Sequence, residues 1–470
     1  MVRRMGFCAI LFVLLSFLSG GAIPALHAQS EDSLLVLALE SAQTPVEAWT
    51  AAFVEANDVN VTVEYAADSA AILDRAAEAS VVILNDLESE PAIAFECGFI
   101  SRAYKLLPDL GARFVASNSC GGAMDPLDAA AQALVAFMTS PDGQQIAIDL
   151  GRLPATVEIV DQAGMTVSVP QPVRRIASPY SIATYYVYSV GAGSRLVAAG
   201  YLGARDPAGA EAMRRLDPNF DTVMNAVSTL NQQEANIEEL AALQPDLLLA
   251  SARTSWLDAA GELGLPVIRF EGETPERLKE AMTLLGAVLG PDAAYRAELF
   301  NAYYDDTLAD ILAQTQALEP HVRVLFTGTE PLRVASGEMY QTAMIEAAGG
   351  ESVSASLTGF WNDVNLEQVA VWNPDVIFFP PYGGANKEAF TESAEWAIIP
   401  AVQAGQVYGL PKLAAPWDTP VPDSILGIIW MAETLYPDQV ALDCASEAVA
   451  FYNLFYDYAM SEDEAQELCQ

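Results

Sequence analysis

Two stretches decide the fold: NIEELAALQPDLLLA at residues 236–250 and NLEQVAVWNPDVIFF at residues 365–379. Both read Asn-x-Glu, then apolar positions at helical spacing, then Pro-Asp, then an apolar strand. Asn236 or Asn365 is placed to cap a helix, and Glu238 or Glu367 falls in the first turn, where the helix dipole favours an acid. Pro245 or Pro374 ends the helix before the strand. Each copy is one helix-turn-strand unit, so the repeat predicts two pseudo-equivalent α/β lobes.

Working outward, the hairpin pattern VEIVDQAGMTVSVP, with its turn at Gln162, Ala163 and Gly164, opens the first lobe. The helical pattern DAAYRAELFNAYYDDTLADILAQTQAL, from Asp292 to Leu318, separates it from VRVLFTG, which opens the second. Ahead of both lobes, SLLVLAL, VTVEY and SVVIL alternate with a helical stretch, VEAWTAAFVEA, and predict a parallel α/β sheet. DAAAQALVAFMTSPDGQQIAIDLGRLPA then reads as two helices broken at Ser140 and Pro141. The expected order is residues 1–28 a signal peptide, 29–155 an N-terminal α/β module, 156–290 lobe 1, 291–320 a connecting long helix, and 321–470 lobe 2 with a C-terminal tail.

Arg3 and Arg4 precede a short apolar run, followed by Gly20, Gly21, Pro24 and small residues, the pattern of a secretory signal cleaved after Ala28. Cys8 lies before that run, which argues against a lipid anchor. The formal charge is -40, and more negative once Arg3 and Arg4 leave with the signal, so nucleic acid and anionic membranes are excluded as partners. Cys97 with Cys120 and Cys444 with Cys469 form two local pairs in an exported chain, which predicts two disulfides. A zinc site is the competing reading, but the pairs lack short Cys-x-x-Cys spacing and His321 is the one histidine beyond the signal. No metal site and no cofactor of the protein's own is expected.

Residues 156–440 resemble the periplasmic binding proteins of ABC importers that carry iron-siderophores, haem, corrinoids or, in one branch, molybdate and tungstate. The landmarks are DQAGMTVSVPQPVRRIAS, GAGSRLVAAGY, NIEELAALQPDLLLA, GLPVI, the long helix, MYQTAMIEAAGGESV, NLEQVAVWNPDVIFF, AVQAGQVYGL and APWDTPVPDSILGIIWMAETLYPD, in that order. The resemblance implies a monomeric periplasmic protein, not an enzyme, that takes a small ligand between two lobes with limited closure. It also implies docking to the importer's membrane subunits through one acid on each lobe, Glu238 and Glu367. The N-terminal module has a separate resemblance to molybdate-type binding proteins, with Ser41 and Ser69 where that family places hydroxyl contacts. Leu84 to Asp128 is too short to supply such a protein's second lobe, which suggests a vestigial or accessory module.

In open α/β sheets, ligands bind at the carboxyl ends of strands. Loops after the apolar strands offer Tyr180, Ser181, Tyr201, Arg205, Arg253 and Trp256 from lobe 1, and Arg333, Ser336, Tyr340, Trp361, Tyr382 and Trp417 from lobe 2. Tyr185, Tyr186 and Tyr188 read as core. Aromatic faces mixed with arginines suit a bulky, partly apolar anion such as a metal chelate. A bare oxyanion would use hydroxyls and amides at a helix N-terminus, which Ser181 and its neighbours offer, and both readings stay open. An exported enzyme is disfavoured: there is no Gly-x-Ser-x-Gly elbow, no phosphate loop, and His321 alone for imidazole acid-base work. A non-transport sensor on the same fold is the third reading.

Overall fold

In the computed structural model the described residues are 33–85, 103–114, 126–203, 206–272 and 274–470. The signal segment, Cys97, Cys120 and Arg205 lie outside them. The chain forms two compact units. One comprises Met1–Ile159, Thr166–Arg174 and Leu285–Arg296; the other comprises Val160–Met165, Arg175–Leu284 and Ala297–Gln470.

The first unit is built on a five-stranded sheet of β1 (Leu34–Leu39), β2 (Val61–Ala66), β3 (Val81–Leu84), β4 (Ala103–Leu107) and β5 (Leu110–Phe114), ordered β2-β1-β3-β5-β4. β1 is parallel to β2 and β3, as the sequence predicts. At the other edge two further strands join, with β5 antiparallel to both β3 and β4. Two residues join β4 to β5, and a connection that short permits only a hairpin. The helix Gln43–Ala56 buries Val46, Trp49 and Phe53 against the sheet, and the Trp49 indole donates to the Gly143 carbonyl at 2.8 Å. Ser140 caps the helix Pro141–Asp149, as expected from Ser-Pro at that break.

The hairpin forms from β6 (Thr156–Val160) and β7 (Thr166–Pro170). Asp161 Oδ1 accepts from the amides of Ala163 and Met165, and Gly164 takes φ +78°, a conformation open to glycine.

Both lobes lie in the second unit. Lobe 1 has β8 (Ile176–Ser178), β9 (Leu196–Ala199), β10 (Leu247–Ser251) and β11 (Val267–Phe270), ordered β11-β10-β8-β9. Lobe 2 has β12 (Arg323–Phe326), β14 (Glu351–Ser352), β16 (Val376–Phe379) and β17 (Val407–Gly409), ordered β14-β12-β16-β17. The short antiparallel pair β13 (Arg333–Val334) and β15 (Asn362–Asp363) stands beside lobe 2's main sheet. Within each main sheet the strands are parallel. β8 and β10 match β12 and β16, so the internal repeat is a structural equivalence. Central strands such as LLLAS and VIFF are buried on both faces, which is why they read as continuous apolar runs.

The repeat also fixes a polar signature at the base of each lobe. Asp246 Oδ2 accepts from the Arg175 amide at 2.8 Å, and Asp375 Oδ2 accepts from the Arg323 amide at 3.0 Å. Thus the aspartate of each Pro-Asp ties the start of its own strand to the neighbouring strand. The long helix runs Pro291–Thr315, three residues short of the expected end. Among the described residues no helix is long and apolar enough to cross a membrane.

Candidate interlobe ligand site

The parallel strands of each lobe end in loops that carry the polar and aromatic side chains singled out by the sequence. The lobes approach closely at Gly203, following β9, and Ala414, following β17. A Cβ on Gly203 would lie 2.1 Å from the Ala414 carbonyl oxygen, so no larger residue fits without moving backbone. Tyr185 from lobe 1 bridges the same point, donating to the Ala414 carbonyl at 2.8 Å and accepting from the Gly203 amide at 3.0 Å. One turn position away, Tyr186 donates to the Pro420 carbonyl at 2.8 Å. Both tyrosines are wholly buried, so the expected core cluster also ties the lobes together.

Beside this seam Lys412, after β17, pairs with Asp206, whose other oxygen caps the helix Pro207–Leu216. Burial works to raise the Asp206 pKa, but Lys412 and the Gly209 amide outweigh it and hold the carboxyl below its usual range. At another lip, Arg253 after β10 stacks on Phe360 of lobe 2, with 4.5 Å between guanidinium carbon and ring centre. Phe360 is half exposed, so part of its ring is open to a ligand.

The remaining sequence candidates divide by burial. Ser181 is half-buried at the first position of the helix Ser181–Ser189, with its oxygen 3.0 Å from where a Gly200 Cβ would sit. Trp361 is half-buried and lies across Gly328, in the loop after β12. Tyr382, after β16, is half-buried and donates to Asp418 Oδ2 at 2.8 Å. Arg333 pairs with Asp363 across β13 and β15 at 3.5 Å. Trp256 donates its indole N–H to the Asn231 carbonyl at 2.8 Å and packs on the lobe 1 core.

Five candidates sit below the surface. Tyr180 is 3 % exposed and precedes the helix Ser181–Ser189 as its N-cap. Tyr201 meets the Tyr188 hydroxyl at 2.9 Å and the Phe220 ring edge-on at 4.8 Å. Ser336 is buried and donates to the Gly359 carbonyl. Tyr340 lies between Tyr304 and Ser424, at 2.9 and 2.6 Å, and burial pushes its pKa up to about 12. Trp417 is wholly buried and donates to Tyr452 at 3.2 Å.

Sequence reasoning passed over Lys412, Phe360 and Asp418. Lys412 follows a strand directly, in VYGLPK, so the strand-end rule could have found it. Phe360 and Asp418 become notable through contacts that no local pattern encodes. Glu238 and Glu367 are exposed in the first turns of matched helices, whose caps Asn236 and Asn365 accept from the amides of Glu239 and Gln368. Cys444 and Cys469 are joined in a disulfide. In the first unit Ser41 is exposed, while Ser69 donates to Asn85 at 2.7 Å.

Comparison with known proteins agrees with this architecture. Residues 186–414 match the profile of a periplasmic binding protein family. The molybdate-binding protein MolA of Haemophilus influenzae is 27 % identical over 277 residues, which is 53 % of this chain and 77 % of that protein. The vitamin B12-binding protein of Yersinia pestis is 28 % identical over 182 residues, 36 % of this chain and 61 % of its own length. A periplasmic solute binding protein of Veillonella parvula superposes with a TM-score of 0.57 at 26 % identity, covering 67 % of this chain and 96 % of that one. With two equivalent α/β lobes around a seam of strand-end loops, this chain is similar, through residues 186–414, to the periplasmic binding protein family.

Proposed function

We propose that this chain is a periplasmic solute-binding protein that captures a small metal chelate, of the iron-siderophore, haem or corrinoid kind, between its lobes and delivers it to an ABC importer. The observation that carries the reading is the Arg253–Phe360 stack, a cation and an exposed aromatic face contributed by opposite lobes at strand ends. A cation with an open ring suits a ligand that is both anionic and partly apolar. Ser181, Trp361, Tyr382 and Lys412 complete the proposed lining, and Arg333 adds positive charge at its margin. Delivery uses Glu238 and Glu367, one exposed acid per lobe, to meet cationic residues of the membrane subunits. Each such pair contributes little alone, but two on a fixed frame set orientation.

Molybdate or tungstate is the second reading. It is favoured by Ser181 at the start of a nine-residue helix, where backbone amides gather, and by the resemblance to MolA. The N-terminal module, with Ser41 and Ser69, is proposed as an accessory unit. Isothermal titration of ligand-free protein with molybdate, cyanocobalamin and a ferric tris-catecholate separates these readings. Binding of the ferric complex or cyanocobalamin, weakened by Arg253→Ala, is the expected result. Molybdate binding alone selects the oxyanion reading, and no binding by any probe removes both.

A further inference from the structure

Asp418 is wholly buried behind the cleft, in the segment between β17 and the helix Ser424–Leu435. Its Oδ2 accepts the Tyr382 hydroxyl at 2.8 Å, and its backbone carbonyl accepts from Gln341 Nε2 at 2.9 Å. Its Oδ1 has no hydrogen-bond partner among the described residues, and neither has Gln341 Oε1. Gln341, in the helix Tyr340–Ala347, is only 4 % exposed. Two orphaned acceptors in one buried nest are costly when both are proton-free. A proton on Asp418 removes the cost of a buried charge whose Oδ1 has no partner. Oδ2 continues to accept from Tyr382.

We propose that Asp418 is held as a neutral acid by its burial with an unpartnered Oδ1 and acts as a positioning residue that fixes the Tyr382 hydroxyl at the ligand site. Burial raises its pKa to about 6, against opposing hydrogen bonds from Tyr382 and Gln341. Tyr382 is the titratable side chain that faces the carboxyl, and the facing Gln341 is neutral. Ionisation places a negative charge behind the site, so an anionic ligand is held more weakly as pH rises through this range. The ligand-binding consequence rests on the interlobe reading above; the protonation of Asp418 does not.

Two readouts separate those claims. The infrared difference between the wild type and Asp418→Asn, taken from pH 5 to 8, reports the carboxylic-acid band of Asp418. The subtraction removes Asp423, whose pKa burial also raises to about 6. The expected result is an acid band that disappears with a midpoint near 6; absence of the band at pH 5 overturns the proposal. In parallel, the affinity of the ferric tris-catecholate, cyanocobalamin and molybdate is measured over the same range. For a bound anionic probe, wild-type affinity falls about threefold to tenfold, whereas Asp418→Asn, which retains an acceptor for Tyr382 and cannot ionise, gives a flat profile. Tyr382→Phe keeps the band and, because Asp418 still ionises, keeps the slope while weakening binding at every pH. A slope unchanged in Asp418→Asn, or an affinity unchanged in Tyr382→Phe, overturns the positioning role. If no probe binds the wild type, the interlobe reading fails while the infrared result still decides the state of Asp418.

Discussion

Replacing Tyr185 by Phe tests whether the lobes are fixed to one another at the β9–β17 seam. The phenol oxygen serves two backbone groups at once, accepting from Gly203 and donating to Ala414. Its loss leaves a buried N–H and a buried carbonyl without their partner, at about 1–3 kcal/mol each. The vacated space is one oxygen wide, too small to admit a bridging water. A destabilisation of about 3 kcal/mol is therefore expected, in the lower half of the summed range because some relaxation follows. Tyr186→Phe removes one bond, to Pro420, and should cost about half as much. Urea unfolding monitored by tryptophan fluorescence gives the free energies, and spin-label distances between lobes should broaden in Tyr185→Phe. A variant within about 0.5 kcal/mol of the wild type, with an unchanged distance distribution, would refute the reasoning.

Three further outcomes follow from the same coordinates. Opening the Cys444–Cys469 disulfide by double substitution to alanine frees a loop of sequence separation 25; chain entropy puts the loss at about 3.5 kcal/mol, measurable by urea unfolding. Asp418 binds its proton more tightly folded than unfolded, since its pKa rises from 3.8 to about 6. Its contribution is full below pH 4 and fades as pH rises through 6, a loss of up to about 3 kcal/mol. Stability of the wild type relative to Asp418→Asn, measured by unfolding at pH 4 and pH 8, should fall accordingly. Arg253→Ala and Phe360→Ala should each weaken a bound chelate about fivefold to thirtyfold, from a cation–aromatic contact of about 1–2 kcal/mol. The double variant should add little to either, as read by titration calorimetry.

The lobes were legible because a repeated helix-turn-strand unit carries its own punctuation. Asn236 and Asn365 cap, Pro245 and Pro374 stop, and the apolar runs that follow are buried on both faces. The mixed sheet of the first unit was harder to read, because the antiparallel edge depends on the two-residue link at Pro108 and Asp109 rather than on apolar periodicity. Strand-end position singled out Arg253, Trp361 and Tyr382, which reach the surface, together with Tyr340 and Trp417, which do not. An aromatic after a strand looks the same whether its polar atom meets a ligand or, as with Tyr340, meets Tyr304 and Ser424 from distant parts of the chain. Asp418 was hidden for a related reason: its burial follows from packing between segments far apart in sequence.

The most direct test of the central claim is elemental mass spectrometry, with an absorbance scan, on protein purified from its own periplasm and on the Arg253→Ala variant prepared identically. Near-stoichiometric iron or cobalt with a visible chromophore is expected in the wild type, reduced in the variant. Molybdenum or tungsten at that stoichiometry would contradict the chelate reading and support the oxyanion one. Metal retained equally by both proteins would contradict a ligand site at the Arg253–Phe360 lip.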